Sequence, residues 1–303
     1  MKIIPYRELP KKEDLLPLMC IAFNWPFVPE KFEEIASIDP RLKNSPIGFA
    51  AVENGKIVSF VGVMDLKTRN IKGEIEPAGG VWGVATFPSH VRKGIATSLL
   101  KKSHQYFNQK GYKFAFLFTA SSMIAYNLYK KLGYKNAKEL PSAYKLIKRK
   151  GKKARKRNRK INWKRISEIY NKFVENKTGF VVRDEKYFKM LEKREKIKPE
   201  MVLIKKDGYV IFREKEEAIS IVEIAANTSK EAESLIHSLE ETEKAVIHDG
   251  FVFDERILKT YKSLGYSICK RSYYLLMVKP LTKNASFNET YGKSFHLTLL
   301  DLF

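Results

Sequence analysis

Cysteine is nearly absent from this 303-residue sequence, in which only Cys20 and Cys269 occur, one in each half. Two isolated thiols supply neither a disulfide framework nor the clustered thiolates of a zinc site. We therefore expect no metal site and two buried thiols in a reducing cytoplasm. The N-terminus also lacks the apolar run and cleavage site of a secretory signal, and no stretch approaches the roughly 20 apolar residues that span a bilayer. We expect a cytoplasmic protein without a membrane segment.

Acidic residues are scarce, since 34 Asp and Glu stand against 57 Lys and Arg and leave a formal net charge of +23. Nearly half of that surplus lies in residues 148–160, where ten of thirteen residues are basic and none is acidic. Because like charges repel and this run has little to bury, it predicts an exposed linker. The surplus itself favours polyanionic partners such as nucleotide phosphates, nucleic acid or an anionic surface.

The basic run divides the chain into two halves, each with its own pattern of strands and helices and enough apolar residues for a core. We predict a first domain over 1–147, a basic linker over 148–160, a second domain over 161–281 and a C-terminal tail over 282–303. Oligomers are compatible with this organisation, and the sequence does not specify their size.

In the first half, apolar spacing predicts a helix over 12–23. Asn54-Gly55 between two apolar runs predicts a hairpin with a type I′ turn, because both turn residues need positive φ. The remaining predicted elements are a strand over 80–86, a helix from Gly94 to Gly111, an apolar strand over 114–118 and a helix over 122–132. This alternation predicts an α/β domain around a central mixed sheet.

The second half repeats this order, with strands predicted over 201–205, 208–213, 219–225, 245–248 and 272–278, and helices over 229–239 and 255–264. The last helix of each half ends at a Gly-Tyr pair, Gly133-Tyr134 and Gly265-Tyr266. We interpret the chain as a diverged internal duplication.

Residues 79–94 (GGVWGVATFPSHVRKG) place a Gly-containing turn between the end of a strand and the start of a helix. The first amide N–H groups of a helix have no intrahelical partner, and the helix dipole adds positive charge there, so such a turn suits a phosphate group. Gly94 and Ala96 are small enough for close approach, and Arg92 and Lys93 add charge. This short pattern alone favours a structural turn over a phosphate site.

Two motifs in this order resemble the GNAT superfamily of acetyl-CoA-dependent acyltransferases. The family signature [Gln/Arg]-x-x-Gly-x-[Gly/Ala] aligns with residues 91–96 (VRKGIA), where Val91 departs from the first position and Arg92 can supply the charge. Residues 122–134 (SMIAYNLYKKLGY) are similar to the family's N-x-x-A-x-x-L-Y-x-x-x-G-[FY] segment, with Ser122 in the Asn place.

The phrase PAGGVWGVATFPSHVRKG, followed by a degenerate second copy, resembles the tandem-GNAT acetyltransferases related to the enhanced intracellular survival proteins. Those proteins usually carry a third, sterol-carrier-like domain, which would begin about where this sequence stops. The resemblance implies two tandem GNAT-like domains, the second degenerate. It also implies acetyl transfer from acetyl-CoA to a primary amine of a small molecule, a peptide or a protein.

The resemblance assigns roles to individual residues. Tyr129 matches the family tyrosine that protonates the coenzyme A sulfur, and Tyr126 is the alternative one turn earlier. The edge of the strand is expected to hold the pantetheine amide, and the turn and helix start the pyrophosphate. The expected acetyl-CoA-binding residues are Val84, Ala85, Thr86, Arg92, Lys93, Gly94, Ile95, Ala96, Thr97 and Ser122.

The general base stays open between several groups. Glu76, with Glu74 beside it, precedes the central strand near the place where some family members carry a catalytic Glu. His90 lies in the phosphate turn. In the survival-protein relatives the C-terminal carboxylate is the base, which would be Phe303 here. We expect an acceptor pocket lined by Phe23, Trp25, Phe27 and Trp82.

The second half has only Asn227-Thr228 between its central strand and the following helix, without a glycine or a basic residue. We therefore expect one cofactor site per chain. Two other hypotheses remain: a nucleic-acid-associated protein that uses the basic linker, and an acyl-CoA-binding regulator without turnover. The linker lacks the interleaved aromatic residues typical of single-strand binding, so nucleic acid is not the favoured partner.

Overall fold

The computed structural model describes residues 1–147, 160–241, 245–250 and 254–301, with only the backbone described for 271–274. Residues 148–159 of the basic linker and Phe303 lie outside this part of the chain.

The chain forms a mixed α/β structure. In the first half the strands are β1 (Lys2–Pro5), β2 (Gly48–Glu53), β3 (Lys56–Arg69), β4 (Ile75–Thr86), β5 (Phe114–Thr119) and β6 (Lys135–Lys145), and the helices are α1 (Leu15–Phe23), α2 (Pro29–Ile38), α3 (Ile95–Gln109) and α4 (Ile124–Lys131).

The second half contains the helices α5 (Trp163–Phe173), α6 (Glu185–Glu195), α7 (Ser229–Glu240), α8 (Glu255–Ser263) and α9 (Phe287–Tyr291). Its strands are β7 (Thr178–Gly179), β8 (Val202–Ile204), β9 (Gly208–Glu214), β10 (Ala218–Ala226), β11 (Ala245–His248), β12 (Ser267–Pro280) and β13 (Phe295–His296). None of the described helices is long and apolar enough to cross a membrane.

Local signals produce most of these elements. Asn54 and Gly55 have φ values of 50° and 77°, as the predicted turn between β2 and β3 requires. The continuous apolar stretch of β5 is covered on both faces, and its first four residues are fully buried. α4 begins at Ile124, two residues later than predicted. α2 and β6 lack a clear apolar period and were not predicted.

One sheet runs through both halves in the order β1-β2-β3-β4-β5-β12-β6-β11-β10-β9-β8. β12 lies antiparallel to β5, with Leu275 opposite Thr119 and Pro280 opposite Phe114. β6 lies between β12 and β11, with Lys145 opposite Val246. Each half therefore places its last long strand inside the sheet of the other half.

Two apolar layers cover the first half of the sheet. On one face α3 and α4 pack through Leu99, Phe107 and Tyr129 against a cluster that also contains Leu117 and Met277. On the opposite face α1 packs against a cluster rich in aromatic side chains. Met277 comes from the second half, so the core of the first half depends on both halves.

Two expectations are corrected by the structure. Cys20 and Cys269 are exposed rather than buried. The segment expected to be a tail packs into the interior: the Tyr291 hydroxyl lies 2.8 Å from the Thr68 hydroxyl, and the buried Arg183 guanidinium donates to Asp301 at 2.6 Å. Long-range polar partners of this kind leave no local signal in the sequence.

Candidate active site

An opening between β4 and β5 forms the centre of the site. The two strands pair in parallel only from Gly79 opposite Ala115 to Val81 opposite Leu117. β4 continues to Thr86, paired on its other side with β3, where Phe60 lies opposite Ala85. The edge of β4 that faces β5 is therefore unpaired over Val84, Ala85 and Thr86, the residues expected to bind the pantetheine amide. An unpaired edge of this kind can accept an added strand-like ligand.

A bulge in β4 marks the point where the strands separate. The register with β3 shifts between Phe60 and Gly62, and Gly83 has a φ of +56°. A β-bulge bends its strand and redirects backbone groups. The sequence analysis missed this role of Gly83, although an isolated glycine inside an apolar strand is the available signal.

The turn after β4 leads directly into α3 and leaves the helix start open. Gly94 is the N-cap, with a φ of +76°, and a Cβ added there would meet no atom within 4 Å. Arg92 is also left-handed, with a φ of 64°, and Arg92 and Lys93 are exposed. No side chain caps the start of α3, and its first N–H groups, including those of Ala96 and Thr97, have no intrahelical partner. This turn and helix start, here called the cradle, form the kind of backbone site that suits a phosphate group.

Tyr129 lies on α4 and is only 5% exposed. Its ring packs at a steep angle to Tyr134, with a centroid distance of 6.0 Å, and belongs to the same apolar cluster as Ile95 and Val84. Burial raises the pKa of its hydroxyl above the usual 10. In the described part of the chain this hydroxyl has no hydrogen-bond partner, so no protein group competes with a ligand for it.

Tyr126 and Ser122 are the other two predicted site residues on α4 and in the turn before it. The Tyr126 hydroxyl exchanges hydrogen bonds with the Asn136 amide at 3.0 and 3.2 Å. Ser122 is exposed in the turn before α4. Both tyrosines adjoin the apolar cluster that Val84 contacts, and they differ in that Tyr129 is buried without a hydrogen-bond partner among the described residues while Tyr126 is bonded to Asn136.

The candidate bases lie apart from the opening. Glu76 is near the start of β4 and forms an ion pair with Lys113 at 2.8 Å. At about 3.3 Å per residue it is about 25 Å along the strand from Val84. Glu74 accepts a hydrogen bond from Asn70 in the preceding turn. Glu76 therefore lies at the end of β4 opposite the opening, and its role as the base stays a prediction.

His90 is not brought to the cleft either. His90 forms hydrogen bonds to Glu53 through Nε2 at 3.0 Å and to Ser89 through Nδ1 at 2.9 Å. Both of its ring nitrogens therefore already have a protein partner. Phe303 lies outside the described residues. No group of three or more His, Cys, Asp and Glu able to hold a metal occurs among the residues that the structure describes.

Aromatic side chains gather on the face of β4 opposite α3. Trp25 lies 6.4 Å from Trp82 and 5.3 Å from Phe27, measured between ring centroids. Phe32 on α2 completes the cluster at 5.7 Å from Trp82. Phe23 is 45% exposed and lies outside it. The sequence analysis missed Phe32 because α2 was not predicted. Three of the four residues expected to line an acceptor pocket, Trp25, Phe27 and Trp82, thus lie together.

The corresponding helix start in the second half is capped by a side chain. The Thr228 hydroxyl accepts the Glu231 N–H at 3.1 Å and so caps the first turn of α7. A side-chain cap occupies the position that a phosphate would need. This geometry agrees with the absence of a Gly-containing cradle from the sequence between β10 and α7.

Comparisons with known proteins point to the same chemistry. Residues 8–137 match the family model of the acetyltransferase (GNAT) domain. No protein of curated function matches the sequence.

Similar solved structures cover most of the chain. A GCN5-related N-acetyltransferase from Kribbella flavida has a TM-score of 0.65 and 14% identity, over 91% of this chain and 70% of the other. Eis1 from Mycobacterium abscessus has a TM-score of 0.56 and 16% identity, over 83% and 70%. A putative acetyltransferase from Pyrococcus horikoshii has a TM-score of 0.56 and 16% identity, over 98% and 93%.

At these identities the solved structures establish the fold, and the family match assigns the activity class. The opening beside β4, the cradle at α3 and the buried tyrosine on α4 lie within the matched residues. The chain therefore carries a GNAT acetyltransferase domain over residues 8–137 and is an acyltransferase that uses acetyl-CoA.

Proposed function

We propose that the first half transfers acetyl from acetyl-CoA to a primary amine by direct attack within a ternary complex. The observation that carries the proposal is the opening of β4 from β5 after Val81 and Leu117, directly before the uncapped start of α3. A strand edge and a helix start meet there, and these two backbone features suit the amide and phosphate groups of acetyl-CoA.

The cradle residues hold the cofactor by its phosphates. The N–H groups of Gly94, Ile95, Ala96 and Thr97 face the open space, while Arg92 and Lys93 contribute charge at the rim. Backbone groups of Val84, Ala85 and Thr86 align the pantetheine arm, and an N–H there polarises the thioester carbonyl. Ser122, exposed in the turn before α4, is the remaining residue proposed to bind the cofactor.

Tyr129 is the general acid of the proposed reaction. The neutral amine attacks the thioester carbon, the carbon–sulfur bond breaks, and the departing thiolate takes the proton from the Tyr129 hydroxyl. The nitrogen of the new amide loses its extra proton to solvent. The hydroxyl recovers a proton from solvent after product release. A tyrosine hydroxyl is protonated over the physiological pH range, as a general acid must be before the thiolate leaves.

The aromatic cluster of Trp25, Phe27, Phe32 and Trp82 is proposed to shape the acceptor side. Aromatic walls exclude water and so favour the neutral amine over the ammonium form. We extend this proposal to small-molecule amines and to the amino groups of peptides and proteins.

Free-thiol release from acetyl-CoA tests the proposal, measured against polyamines, amino acids, aminoglycosides and lysine-rich peptides. At least one class is expected to release thiol in proportion to amine concentration. Calorimetry on the same protein is expected to find one acetyl-CoA per chain. Binding without thiol release over the whole panel would favour a regulator that binds acetyl-CoA without turnover.

A further inference from the structure

A second cleft, separate from the acetyl-CoA opening, lies in the second half and encloses about 780 Å³. That volume is within the range of about 300–1,000 Å³ typical of small-molecule sites. Its walls come from the end of α5, the starts of α7 and α8, and the segment that contains β13. Its lining residues include Phe173, Asp254, Lys259, Lys293 and His296.

This cleft occupies the place that corresponds to the opening of the first half. β10 and β11 pair in parallel only over Ala218–Ser220 and Ala245–Ile247, and β10 then continues alone to Ala226. The helices α7 and α8 follow these two strands, as α3 and α4 follow β4 and β5. If the chain is a diverged duplication, the second half has kept a cleft at this place and has lost the Gly-containing cradle.

The walls of this cleft differ from the acetyl-CoA opening at both helix starts. Thr228 caps α7, and Asp254 caps α8 by accepting the Ile257 N–H at 3.0 Å. Lys177 crosses to Asp254 with a distance of 3.0 Å between Nζ and Oδ2. Side chains of the protein therefore cap both helix starts, and Asp254 neutralises the charge of Lys177.

His296 is the unexplained polar group of this cleft. It is 4% exposed, and neither Nδ1 nor Nε2 has a hydrogen-bond partner in the described part of the chain. Its ring packs nearly at right angles to Phe173, with a centroid distance of 5.5 Å. Burial lowers the pKa of His296 to about 3, so the ring is neutral and offers one donor and one acceptor. An unpaired buried imidazole costs free energy that a bound ligand would recover.

The mouth of the cleft is cationic. Lys172, Lys177, Arg256, Lys259 and Lys293 line it against Glu175, Asp254 and Glu255, which leaves a surplus of two positive charges. Lys259 and Lys293 are exposed and have no ion-pair partner among the residues that the structure describes. The unpaired Lys259 and Lys293 and the neutral imidazole of His296 line the same cleft. Together they suit an anion that also carries a hydrogen-bonding group.

We propose that this cleft binds a small organic oxyanion, with its charge between Lys259 and Lys293 and a polar group bonded to His296. The shared ligand chemistry is a phosphate or a carboxylate on a molecule smaller than acetyl-CoA. The second half would then be a binding module beside the acyltransferase half.

Histidine ring signals in the NMR spectrum of the full chain provide the test, with inorganic phosphate and citrate as the two probes. A shift of the His296 ring signals that saturates with probe concentration is expected for at least one of them. The His296→Gln variant assigns the signals. Whichever probe binds more tightly identifies phosphate or carboxylate as the preferred group.

Lysine variants make the test independent of the buried histidine. Lys259→Gln and Lys293→Gln are each expected to weaken probe binding by up to about fivefold, the range of one exposed charge pair. Lys262→Gln and Lys283→Gln remove the same charge from exposed positions outside the cleft lining and are the matched controls. The proposal is overturned by His296 signals that neither probe moves, or by equal weakening in all four variants.

Discussion

Val81 and Leu117 are the last residue pair that keeps β4 and β5 in register. Beyond this pair β4 continues for five residues with one free edge, and the turn that follows it carries Gly94. The geometry of the acetyl-CoA opening is thus set by where one parallel ladder stops. The groups around that point, and the strands that support it, are open to direct experiment.

Replacing Gly94 by Ala is expected to weaken acetyl-CoA binding at least tenfold, because the new Cβ points into the open cradle. The left-handed φ of +76° adds backbone strain of about 1–2 kcal/mol. Gly55 has a φ of +77° and equally open surroundings, so Gly55→Ala controls for strain alone. Calorimetric affinity and urea unfolding of both variants separate the two effects. Equal affinity in both variants would remove Gly94 from the cofactor site.

The Tyr129→Phe variant is expected to lower turnover by about 10²–10⁴-fold while leaving acetyl-CoA affinity within about twofold. Stability should change little because the hydroxyl has no protein partner among the described residues. Tyr126→Phe, which removes the hydrogen bonds to Asn136, is the control. Rates measured from pH 6 to 10 should show no loss attributable to deprotonation of Tyr129, since burial raises its pKa. Unchanged turnover would transfer the acid role to Tyr126.

A fragment of residues 1–147 is expected not to fold alone, because it lacks β12. Leu275, Leu276, Met277 and Val278 would leave the core. At about 1.5–3 kcal/mol for each side chain, their loss is comparable with the whole stability of a domain, about 5–15 kcal/mol. Circular dichroism of this fragment, alone and co-expressed with residues 161–303, is the measurement. A soluble, cooperatively unfolding fragment that binds acetyl-CoA would show that β12 is dispensable.

Acid is expected to destabilise the protein through its buried histidines. Burial lowers the pKa of His104 to about 4, while the unfolded value is near 6.5. The unfolded state therefore binds more protons below pH 6.5, and stability falls as the pH drops toward 4. His104 alone should account for about 2 kcal/mol between pH 7.5 and 5.0.

Urea unfolding of His104→Gln at both pH values measures that share, since glutamine can keep the hydrogen bond to Tyr134. His237→Gln is the control, because His237 lies exposed on α7. A pH dependence that is the same in the wild type and in His104→Gln would contradict the assignment.

Neutralising five charges of residues 148–160 distinguishes the linker hypotheses. If the run is only a solvated connector, acetyl transfer to small amines is unchanged. If it binds nucleic acid, the affinity for nucleic acid falls. The slope of log affinity against log salt concentration then becomes shallower by about 0.7–0.9 for each phosphate that the linker no longer neutralises. RNA and DNA affinity at two salt concentrations is the measurement. Tight, sequence-dependent binding at physiological salt would favour the nucleic-acid function.

Local chemistry made much of the first half predictable. The Asn54-Gly55 turn, the apolar β5 and the start of α3 at Gly94 each depend on neighbouring residues and were confirmed. The pairing of β12 with β5 depends on residues more than 150 positions apart, and apolar spacing cannot specify such a partner. The ion pair of Glu76 with Lys113 was missed for the same reason, and with it the position of Glu76 far from the cleft.

The exchange of β6 and β12 also has a consequence for how the chain folds during synthesis. β5 gains its second neighbour only after Pro280 has been made, so its edge stays unpaired while nearly all of the chain emerges. Pairings of such large sequence separation form slowly, and an unpaired apolar edge invites association with other chains. Newly made molecules should therefore depend on low concentration or on chaperones until their last strand arrives.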